Sequence, residues 1–404
     1  MNLVELLENN VITDNTKEFN DNKVFLKTFQ NSKYSSHIKN FITPYDLLKD
    51  NKTRFIGITG TNGKTTTAFV LSFLLKSMGF KVATQGTEGF FINLKNVENK
   101  TLTTPDIFTT IKRLYRYKPD FFVMEVSSHA IFQNRIEGIN FKAKIMTSFS
   151  QDHLDYHNSM DEYKKVKESF FQDDSVKVIN GKLKKENKNW SIVDIDGYDF
   201  KVNSKNLYIL NKPLIDKINM AGEFNKMNFS LALKTAEILT NSNLSLLYVK
   251  LNKFRGVPGR MEIVSKKPLI VVDFAHTPDG IENILKSVNG YKVVVFGAGG
   301  DRDREKRKYM GEIVSKYADY SIITNDNPRC ENPLNIINDI KSGIKTKYEV
   351  VLDRKEAIKK GIELIKNRGV LLVLGKGDEK YMEFCNKKIK FNDKEEILKI
   401  LNES

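Results

Sequence analysis

The stretch Phe55-Ile56-Gly57-Ile58-Thr59-Gly60-Thr61-Asn62-Gly63-Lys64-Thr65-Thr66 is the most informative part of this 404-residue chain. Its first five residues form an apolar run that predicts a buried strand, and the residues from Lys64 to about Met78 predict a helix. Glycines between a strand and a helix let the backbone wrap phosphate groups, and the helix start adds free N–H groups and the positive end of its dipole. The stretch therefore predicts a phosphate-binding loop. It is a variant form, because the usual spacing puts glycine at position 58, where this chain has Ile58.

Seven residues of this loop are predicted to contact a nucleotide: Gly60, Thr61, Asn62, Gly63, Lys64, Thr65 and Thr66. In such loops the lysine reaches the terminal phosphates and the hydroxyl after it holds Mg²⁺, which assigns these roles to Lys64 and Thr65. A plain turn between a strand and a helix is the alternative. The demanding sequence Gly-Lys-Thr-Thr at this position disfavours it.

Two further segments carry groups that could hold a metal. Glu125 ends the apolar run that starts at Asp120, and an acid at a strand end near a phosphate loop is placed to bind Mg²⁺. His153, in Asp152-His153-Leu154-Asp155, could bind a second Mg²⁺ as a neutral imidazole oriented by the neighbouring acids. A surface acid and a structural His–Asp pair are the alternatives.

Apolar runs alternate with helical patterns along most of the chain, which predicts an α/β fold with parallel sheets. The breaker Gly256-Val257-Pro258-Gly259 is the best candidate boundary between two such series. The expected strands are Val24–Leu26, Phe55–Thr59, Lys81–Thr84, Asp120–Glu125, Leu269–Val272, Lys292–Phe296, Tyr320–Thr324, Glu349–Leu352 and Val370–Leu374. The expected helices include Leu3–Leu7 and Asn225–Leu239, and residues 176–215 are expected to form a peripheral meander.

Composition limits the function classes. The net charge of +15 raises the possibility of nucleic-acid binding, but the lysines are spread along the whole chain and no nucleic-acid module is recognisable. Two cysteines, Cys330 and Cys385, make neither a disulfide framework nor a metal-spaced cluster. The first ten residues lack the basic region of a signal peptide, and no apolar run reaches the length of a membrane span. We therefore expect a cytoplasmic protein without membrane insertion and without a nucleic-acid partner.

Asp326-Asn327-Pro328-Arg329 follows an apolar strand, at the sheet edge where α/β folds place ligand sites. Arg329 offers a planar fork of N–H groups that matches a carboxylate. The segment therefore predicts a binding site for a carboxylate. A turn with a surface ion pair is the alternative.

Together these segments resemble the Mur ligases over about residues 54–385, and within that family the branch that adds the third amino acid. The similarity rests on the loop, on Glu125-Val126-Ser127-Ser128-His129 and on Asp152-His153-Leu154-Asp155. It continues in order through Gly222-Glu223-Phe224-Asn225-Lys226-Met227-Asn228, Gly259-Arg260-Met261-Glu262, Asp273-Phe274-Ala275-His276-Thr277-Pro278-Asp279 and Phe296-Gly297-Ala298-Gly299-Gly300-Asp301-Arg302-Asp303.

The resemblance implies three domains: a shortened domain for the UDP end of the substrate over residues 1–49, a central ATP-binding domain over 50–257, and a Rossmann-like amino-acid-binding domain over 258–404. It implies an ATP- and Mg²⁺-dependent amide ligase that adds meso-diaminopimelate to UDP-N-acetylmuramoyl-L-alanyl-D-glutamate through an acyl phosphate, in peptidoglycan synthesis. A monomer is expected.

The resemblance also implies roles for individual residues. The catalytic group would be Lys64, Glu125, His153 and Lys167, with Thr65, Glu125, His153 and a CO₂-modified (carbamylated) Lys167 serving the metals. Asn225 and Asn228 would lie near the adenine, and Arg260 and Asp273 near phosphate and ribose. The UDP-linked peptide would contact Asn15, Thr103, Thr104, Ser127, Gln133 and Arg135. The incoming amino acid would contact Arg302, Asp326, Asn327, Pro328, Arg329, Gly375 and Glu379.

Several positions depart from the family pattern, notably Leu102, Gln151 and Asp378, and the first domain is about half the usual size. Four alternatives stay open at this point. The same ligase could add L-lysine, although lysine-adding members usually lack the arginine of Asp-Asn-Pro-Arg. The chain could be a folylpolyglutamate-type ligase, or a nucleic-acid ATPase or non-catalytic binding protein. ADP release that depends on a UDP-linked muropeptide plus an amino acid separates these classes.

Overall fold

The computed structural model describes residues 3–9, 11–98, 102–150, 156–157, 159–184, 190–195, 198–203, 205–215, 222–365 and 368–403. They fall into two compact units. The first unit takes in described residues up to 150, from 156 to 215 and from 227 to 254, and the second takes in residues 222–226 and 255–403.

The helices of the first unit are α1 (Leu3–Glu8), α2 (Pro44–Leu48), α3 (Lys64–Ser77), α4 (Ile107–Tyr117), α5 (Ser128–Phe132), α6 (Met160–Ser169), α7 (Glu223–Thr240, in this unit from Met227) and α8 (Leu244–Leu251), with a 3₁₀ turn at Ser32–Tyr34. Its strands are β1 (Ile12–Thr13), β2 (Val24–Leu26), β3 (Phe41–Ile42), β4 (Arg54–Thr59), β5 (Val82–Gly86), β6 (Gly89–Ile92), β7 (Lys95–Glu98), β8 (Phe121–Glu125), β9 (Phe141–Met146), β10 (Val176–Asn180), β11 (Lys182–Lys184), β12 (Trp190–Ile195), β13 (Tyr198–Asn203) and β14 (Leu207–Leu210).

The main sheet of this unit has the strand order β14-β10-β9-β4-β8-β5-β6-β7. The strands from β14 to β5 are parallel, and β6 and β7 add an antiparallel edge. Strand β4, which leads into the glycine-rich loop, is buried from Phe55 to Thr59, as expected where both faces of a parallel sheet are covered. The predicted α/β class with a parallel sheet is confirmed.

The prediction of a peripheral meander over residues 176–215 is wrong for its two ends. Strands β10 and β14 pair in parallel within the main sheet, and only β11, β12 and β13 form a separate antiparallel sheet. Strand β10 was not recognised in the sequence, because Lys177 lies within it and a lysine usually indicates a position exposed to solvent. Here its side chain is fully buried and its ammonium donates to the carbonyl of Ser175 at 2.9 Å.

The amino-terminal segment packs on the same apolar core as the main sheet. Strands β1, β2 and β3 form a small parallel sheet, and the predicted helix at Leu3–Leu7 and strand at Val24–Leu26 are confirmed as α1 and β2. Leu7, Ile12 and Leu26 belong to one apolar cluster with Phe55 and Phe122 of the main sheet.

The second unit holds α9 (Pro278–Ser287), α10 (Glu305–Tyr317), α11 (Pro333–Lys341), α12 (Arg354–Ile365) and α13 (Asp393–Glu403). Its strands are β15 (Glu262–Lys266), β16 (Leu269–Asp273), β17 (Lys292–Phe296), β18 (Tyr320–Ile323), β19 (Tyr348–Val350), β20 (Val370–Leu374), β21 (Tyr381–Phe384) and β22 (Lys387–Lys390). The sheet order is β15-β16-β20-β17-β18-β19, parallel apart from β15.

Helices cover both faces of this second sheet. One apolar cluster joins α9, α10 and α11 to side chains such as Val294 and Leu372, and another joins α12 and α13 to Val295 and Leu371. Neighbouring strand residues enter opposite clusters because successive side chains point to opposite faces. The strands therefore carry the continuous apolar runs from which the sequence predicted them.

Cys330 and Cys385 form a disulfide, a pairing that the sequence did not predict. The two residues are 55 positions apart in the chain, so spacing says nothing of their proximity. Arg329 and Phe384, the residues just before the two cysteines, form a parallel bridge, and the Cα atoms of Cys330 and Cys385 lie 4.1 Å apart. Among the described residues, no helix combines the length and the apolar character that crossing a membrane would need.

Candidate functional site

The glycine-rich loop has the backbone geometry that phosphate binding requires. Helix α3 begins at Lys64, directly after Gly63, whose φ of 85° lies in the left-handed region. A Cβ at Gly63 would collide with the amide of Asn228, and one at Gly60, where φ is 146°, would collide with the side chain of Thr147. Both positions need glycine for conformation and for space. The N–H groups at the start of α3 are thereby presented together with the positive end of its dipole.

Lys64 is folded back over this loop. Its ammonium donates to the carbonyls of Gly60 at 2.7 Å and Thr61 at 2.9 Å, while Thr65 and Thr66 are buried in the first turn of α3. A phosphate oxygen can replace such a carbonyl as acceptor, with a gain in charge complementarity. The loop is therefore suited to bind the phosphates of a nucleoside triphosphate, and the hydroxyl of Thr65 is suited to serve as an oxygen ligand for Mg²⁺.

Glu125 lies beside the loop because its strand β8 pairs with β4. Ile58 and Glu125 are register partners, and the N–H of Val126 donates to the carbonyl of Ile58 at 2.8 Å. The carboxylate, 1% exposed, accepts from the N–H and the hydroxyl of Thr87 at 3.0 and 3.1 Å. A buried, oriented carboxylate at this edge of the sheet is a hard oxygen donor of the kind that Mg²⁺ prefers.

Lys167 differs from the lysines around it. It is 1% exposed in the last turn of α6, and its ammonium lies 3.2 Å from the hydroxyl of Thr59, at the end of the strand that leads into the loop. Lys165 is exposed and Lys164 pairs with Glu168 on the same helix. The structure therefore brings Lys167, and not its neighbours, to the loop. The predicted metal ligand His153 lies outside the described residues.

Four of the residues predicted to bind the UDP-linked peptide form one hydrogen-bonded cluster next to Glu125. The Thr104 hydroxyl donates to the Glu125 carbonyl at 2.9 Å and accepts from the N–H of Ser127 at 3.0 Å. Arg135 donates from Nη1 to the Thr104 carbonyl at 2.9 Å and from Nε to Gln133 Oε1 at 2.8 Å.

The other two peptide-binding predictions fall in different places. The hydroxyl of Thr103 lies 3.2 Å from that of Thr87, which also contacts Glu125, so Thr103 adjoins the cluster. Asn15 instead lies in an exposed turn, where its side chain accepts from the N–H of Lys17 at 3.0 Å and donates to Glu18 at 3.1 Å. Its side chain is engaged in that turn.

The residues of the later motifs that are predicted to bind the nucleotide are buried or held by contacts with their neighbours. Asn225 and Asn228 are both buried on α7, three residues apart, and the Asn228 amide lies against Gly63 of the loop. Asp273 ends β16, and its carboxylate accepts from the N–H groups of Met261 at 2.6 Å and Ala275 at 2.7 Å. The guanidinium of Arg260 lies 4.4 Å from the centre of the Phe274 ring.

In the second unit, six of the seven residues predicted to contact the amino acid line one cavity of about 250 Å³. They are Arg302, Asp326, Asn327, Arg329, Gly375 and Glu379. The cavity opens where β16, β17, β18 and β20 end, at the carboxyl edge of the sheet. Pro328 is not among the lining residues; its carbonyl packs against Gly300, where a Cβ would collide with it.

Charges of both signs line this cavity. The cations are Arg302, Lys306 and Arg329, and the carboxylates are Asp303, Asp326 and Glu379. A ligand with several charges of both signs fits such a lining, whereas an apolar or purely anionic ligand would leave charges unpaired.

Asn327 and Glu379 are held in place by Lys376, which sequence reasoning missed. The fully buried Lys376 ammonium donates to Glu379 Oε2 at 2.8 Å and to Asn327 Oδ1 at 3.0 Å, and the Asn327 amide donates to Glu379 at 2.8 Å. The three side chains form a closed network at the wall of the cavity. Its signal in the sequence is the motif Gly375-Lys376-Gly377 directly after a buried strand.

Arg329 takes a left-handed backbone conformation, with φ of 52°. Its Nη1 donates to the Gly300 carbonyl at 2.7 Å and its Nε lies 3.2 Å from the carboxylate of Glu383. Its backbone N–H also donates to the Glu383 carbonyl at 3.0 Å. The guanidinium is therefore fixed from two sides by residues outside its own motif.

Sequence reasoning also missed the cavity residues Phe274, His276, Gly299, Asp303 and Lys306. Asp303 directly follows Arg302 before α10, and Lys306 lies in the first turn of that helix, so the three residues are close in the chain. Phe274 and His276 belong to a segment quoted above only for the nucleotide. Each of these positions lies within four residues of a recognised site residue, and that was the available signal.

Comparison with known proteins identifies the family of this chain. The Mur ligase middle domain matches residues 58–236, and the Mur ligase glutamate ligase domain matches residues 259–377. The UDP-N-acetylmuramoyl-L-alanyl-D-glutamate–2,6-diaminopimelate ligase of Helicobacter pylori strain J99 is 40% identical over 427 residues, covering 96% of this chain and 94% of that protein. These matches place the chain among the ATP-dependent ligases. Within that class, it belongs to the Mur ligase family.

Solved structures of related ligases have a similar fold. A UDP-N-acetylmuramoyl-L-alanyl-D-glutamate–2,6-diaminopimelate ligase matches with a TM-score of 0.60 and 26% identity, covering 97% of this chain and 94% of that one. The folylpolyglutamate synthase of Mycobacterium tuberculosis matches with a TM-score of 0.63 at 16% identity, over 82% of this chain and 91% of its own. That second likeness shows a shared fold only.

Proposed function

We propose that this chain is an ATP-dependent amide ligase that joins meso-diaminopimelate to UDP-N-acetylmuramoyl-L-alanyl-D-glutamate in peptidoglycan precursor synthesis. The observation that carries the substrate choice is the cavity of the second unit, whose lining has three cations and three carboxylates. Meso-diaminopimelate has two carboxylates and two ammonium groups, so each of its charges can meet an opposite one. L-lysine lacks the second carboxylate, so one cation of the cavity would meet no charge of the ligand.

The proposed division of labour follows the predicted domains: residues 1–49 for the UDP end, 50–257 for ATP and 258–404 for the amino acid. The ligation would take place in the cytoplasm, and the chain is proposed to act as a monomer. Asn15 is proposed to act at the uridine end and Pro328 to shape the turn before Arg329.

The chemistry must activate a carboxylate, which is a poor electrophile. The terminal phosphate of ATP is transferred to the substrate carboxylate, giving an acyl phosphate and ADP, and the amine of the amino acid then displaces phosphate to form the amide. Because two anions must meet, charge neutralisation is the main requirement. Lys64 would neutralise the transferring phosphate, and Arg135, held by Thr104 and Gln133, would orient the UDP-linked peptide.

Mg²⁺, when bound, would neutralise further phosphate charge. Thr65 and Glu125 would hold the ion on the ATP side, and His153 with a carbamylated Lys167 a second one. An ammonium beside Mg²⁺ repels it, whereas a carbamate is an anionic oxygen ligand. The position of Lys167 supports this assignment, since its Nζ lies 3.2 Å from the hydroxyl of Thr59, at the end of the strand that leads into the loop.

The direct test is ADP release by the purified chain. We expect ADP release only when UDP-N-acetylmuramoyl-L-alanyl-D-glutamate and meso-diaminopimelate are both present, with the amide product confirmed by mass spectrometry. Release that depends on a folate substrate or on DNA would overturn the ligase assignment. No turnover with any of these would favour a binding protein.

Arg329→Ala tests the substrate choice. The wild type should prefer diaminopimelate over L-lysine by at least about a hundredfold in kcat/KM, because a site built for a carboxylate rejects an analogue without one. The variant should lose most of that preference, mainly by weakening diaminopimelate. Arg304→Ala is the matched control: its side chain is 70% exposed and it is not among the residues that line the cavity. Equal use of lysine by the wild type would contradict the substrate and leave the ligase chemistry standing.

A further inference from the structure

The disulfide between Cys330 and Cys385 lies directly beside the proposed amino-acid site. Cys330 follows Arg329 in the chain, and its backbone N–H lies 3.2 Å from the carboxylate of Asp301, which precedes Arg302. Cys385 follows strand β21, and its N–H donates to the Arg329 carbonyl at 2.7 Å. The covalent link thus joins the segment that carries Arg329 to the hairpin of β21 and β22, and a hydrogen bond from Cys330 connects it to the segment that carries Arg302.

The backbone around this link is held in an unfavourable conformation. Arg329 and Cys385 have φ values of 52° and 42°, in the left-handed region that side chains other than glycine rarely adopt. The disulfide and two backbone hydrogen bonds between Arg329 and the 383–385 segment hold the backbone there, and the contacts of the Arg329 side chain with Gly300 and Glu383 add to them. With the link open, these non-covalent contacts remain, but no covalent bond opposes relaxation of Arg329.

Both cysteines are exposed, so small molecules can reach them. In a cytoplasmic enzyme thiols are mostly kept reduced, and disulfides there are usually transient and redox-sensing. Nothing in the ligase chemistry uses either sulfur.

We propose that Cys330 and Cys385 form a redox modification site that sets the affinity of the cavity for the amino acid by fixing Arg329. The oxidant is a small disulfide such as oxidised glutathione. A thiolate of one cysteine attacks a sulfur of that disulfide, releasing one small thiol and leaving a mixed disulfide. The second cysteine then attacks the protein sulfur of the mixed disulfide and releases the second small thiol. One S–S bond forms in the protein and one is lost from the oxidant, so two protein thiols are oxidised and one small disulfide is reduced to two thiols.

The inference rests on the proposed function for its kinetic readout. The full chain is equilibrated with reduced or with oxidised glutathione, and the pairing is scored by the loss of two hydrogens in the intact mass. Steady-state rates are then measured for each form. Reduction should raise the KM for diaminopimelate by at least about threefold while kcat and the KM for ATP stay within about twofold, the pattern of lost uniform binding. The double variant Cys330→Ser/Cys385→Ser should match the reduced form and ignore the glutathione ratio.

Two results would overturn the inference. One is that the thiols stay unpaired in oxidised glutathione; the other is that paired and unpaired forms have the same KM for the amino acid. A lower kcat of the double serine variant in both reduced and oxidised glutathione would indicate damage to the fold, and each single serine variant, which cannot form the pair, should then show the KM of the reduced form. If the chain uses L-lysine and not diaminopimelate, the proposed substrate fails, whereas the pairing of the two cysteines in oxidised glutathione is scored by mass and is independent of the substrate.

Discussion

Lys64 and Lys167 show how two lysines near one loop come to different chemistry. Lys64 starts helix α3 and contacts loop carbonyls that a phosphate can replace, so its positive charge is available to a substrate. Lys167 is buried in the last turn of α6, with its Nζ 3.2 Å from the hydroxyl of Thr59. The first lysine is suited to stabilise an anion, and the second is placed at the strand that leads into the loop.

Lys64→Ala should abolish ligation with the fold intact. The lysine stabilises charge on the transferring phosphoryl group, so its loss should lower kcat by about a thousandfold or more. Steady-state ADP release measures this, and circular dichroism checks folding. Lys76→Ala, an exposed position in the last turn of the same helix, is the control and should keep full activity. More than about a tenth of wild-type activity in Lys64→Ala would remove the loop from the mechanism.

Lys167→Ala should lose most activity and recover part of it with added acetate or formate, which can replace a carbamate as an oxygen ligand. Lys165→Ala, exposed on the same helix, should behave as the wild type. Carbon-13 bicarbonate gives a second readout: a carbamate resonance in the wild type that is missing from Lys167→Ala. Full activity of Lys167→Ala would refute the carbamate hypothesis.

At the scale of elements, a buried ion pair connects α10, α11 and the loops that carry the cavity residues. Arg307 is fully buried and donates to both oxygens of Glu331, at 2.8 and 2.7 Å, and to Asp339 of α11 at 2.9 Å. It also donates to the Gly299 carbonyl at 3.1 Å. Glu331 in turn accepts from the N–H of Asp301 at 3.1 Å. The ion pair therefore stabilises both the segment from Gly299 to Asp301 and the turn after Arg329.

This ion pair predicts an acid-sensitive contribution to stability. The hydrogen bonds from Arg307 lower the pKa of Glu331 from 4.5 to about 2, although burial acts in the opposite direction. The unfolded chain therefore binds a proton more readily than the folded one, and the carboxylate stabilises the fold fully above about pH 5. That contribution, at most about 3 kcal/mol, is lost as the pH falls through about 4.5 toward 2.

Urea unfolding of the wild type and of Glu331→Gln between about pH 7 and pH 3 measures it. The difference in free energy of unfolding should be largest at neutral pH and shrink in acid. Glu349→Gln is the control, because Glu349 pairs with Lys360 where both side chains are about 40% exposed. A difference that is constant with pH would contradict the role of the Glu331 charge.

For the whole molecule, the net charge of +15 bears on two of the three proposed substrates. ATP and the UDP-linked peptide are polyanions, whereas meso-diaminopimelate is a zwitterion with no net charge at neutral pH. A positive field favours encounter with polyanions, and salt screens it over about 10 Å at 0.1 M.

Raising the salt concentration from about 0.02 to 0.3 M should therefore raise the KM for ATP and for the UDP-linked peptide severalfold. The KM for diaminopimelate should change by less than about twofold, because its contacts are local and partly buried. Initial rates at each salt concentration, with the other two substrates saturating, measure all three. An equal rise in the three KM values would indicate a general effect of salt on the enzyme instead.

The sequence by itself determined most strands of the second unit, several of the first, the loop and the order of the motifs. Val370–Leu374 and Phe55–Thr59 were predictable because buried parallel strands need continuous apolar runs, which are visible locally. The loop was predictable because Gly60 and Gly63 are required by backbone conformation, and Lys64 by charge. The Asp-Asn-Pro-Arg segment was predictable for the same reason: its chemistry is contained within four neighbouring residues.

Only the tertiary structure decided which of several equivalent residues meet. In sequence Lys164, Lys165 and Lys167 look alike; packing buries Lys167 alone and places it at Thr59. The pairing of Cys330 with Cys385 and the network that Lys376 makes with Asn327 depend on strands that are distant in the chain. Such contacts are set by how sheets and turns pack in three dimensions, and that information is absent from any local stretch of residues.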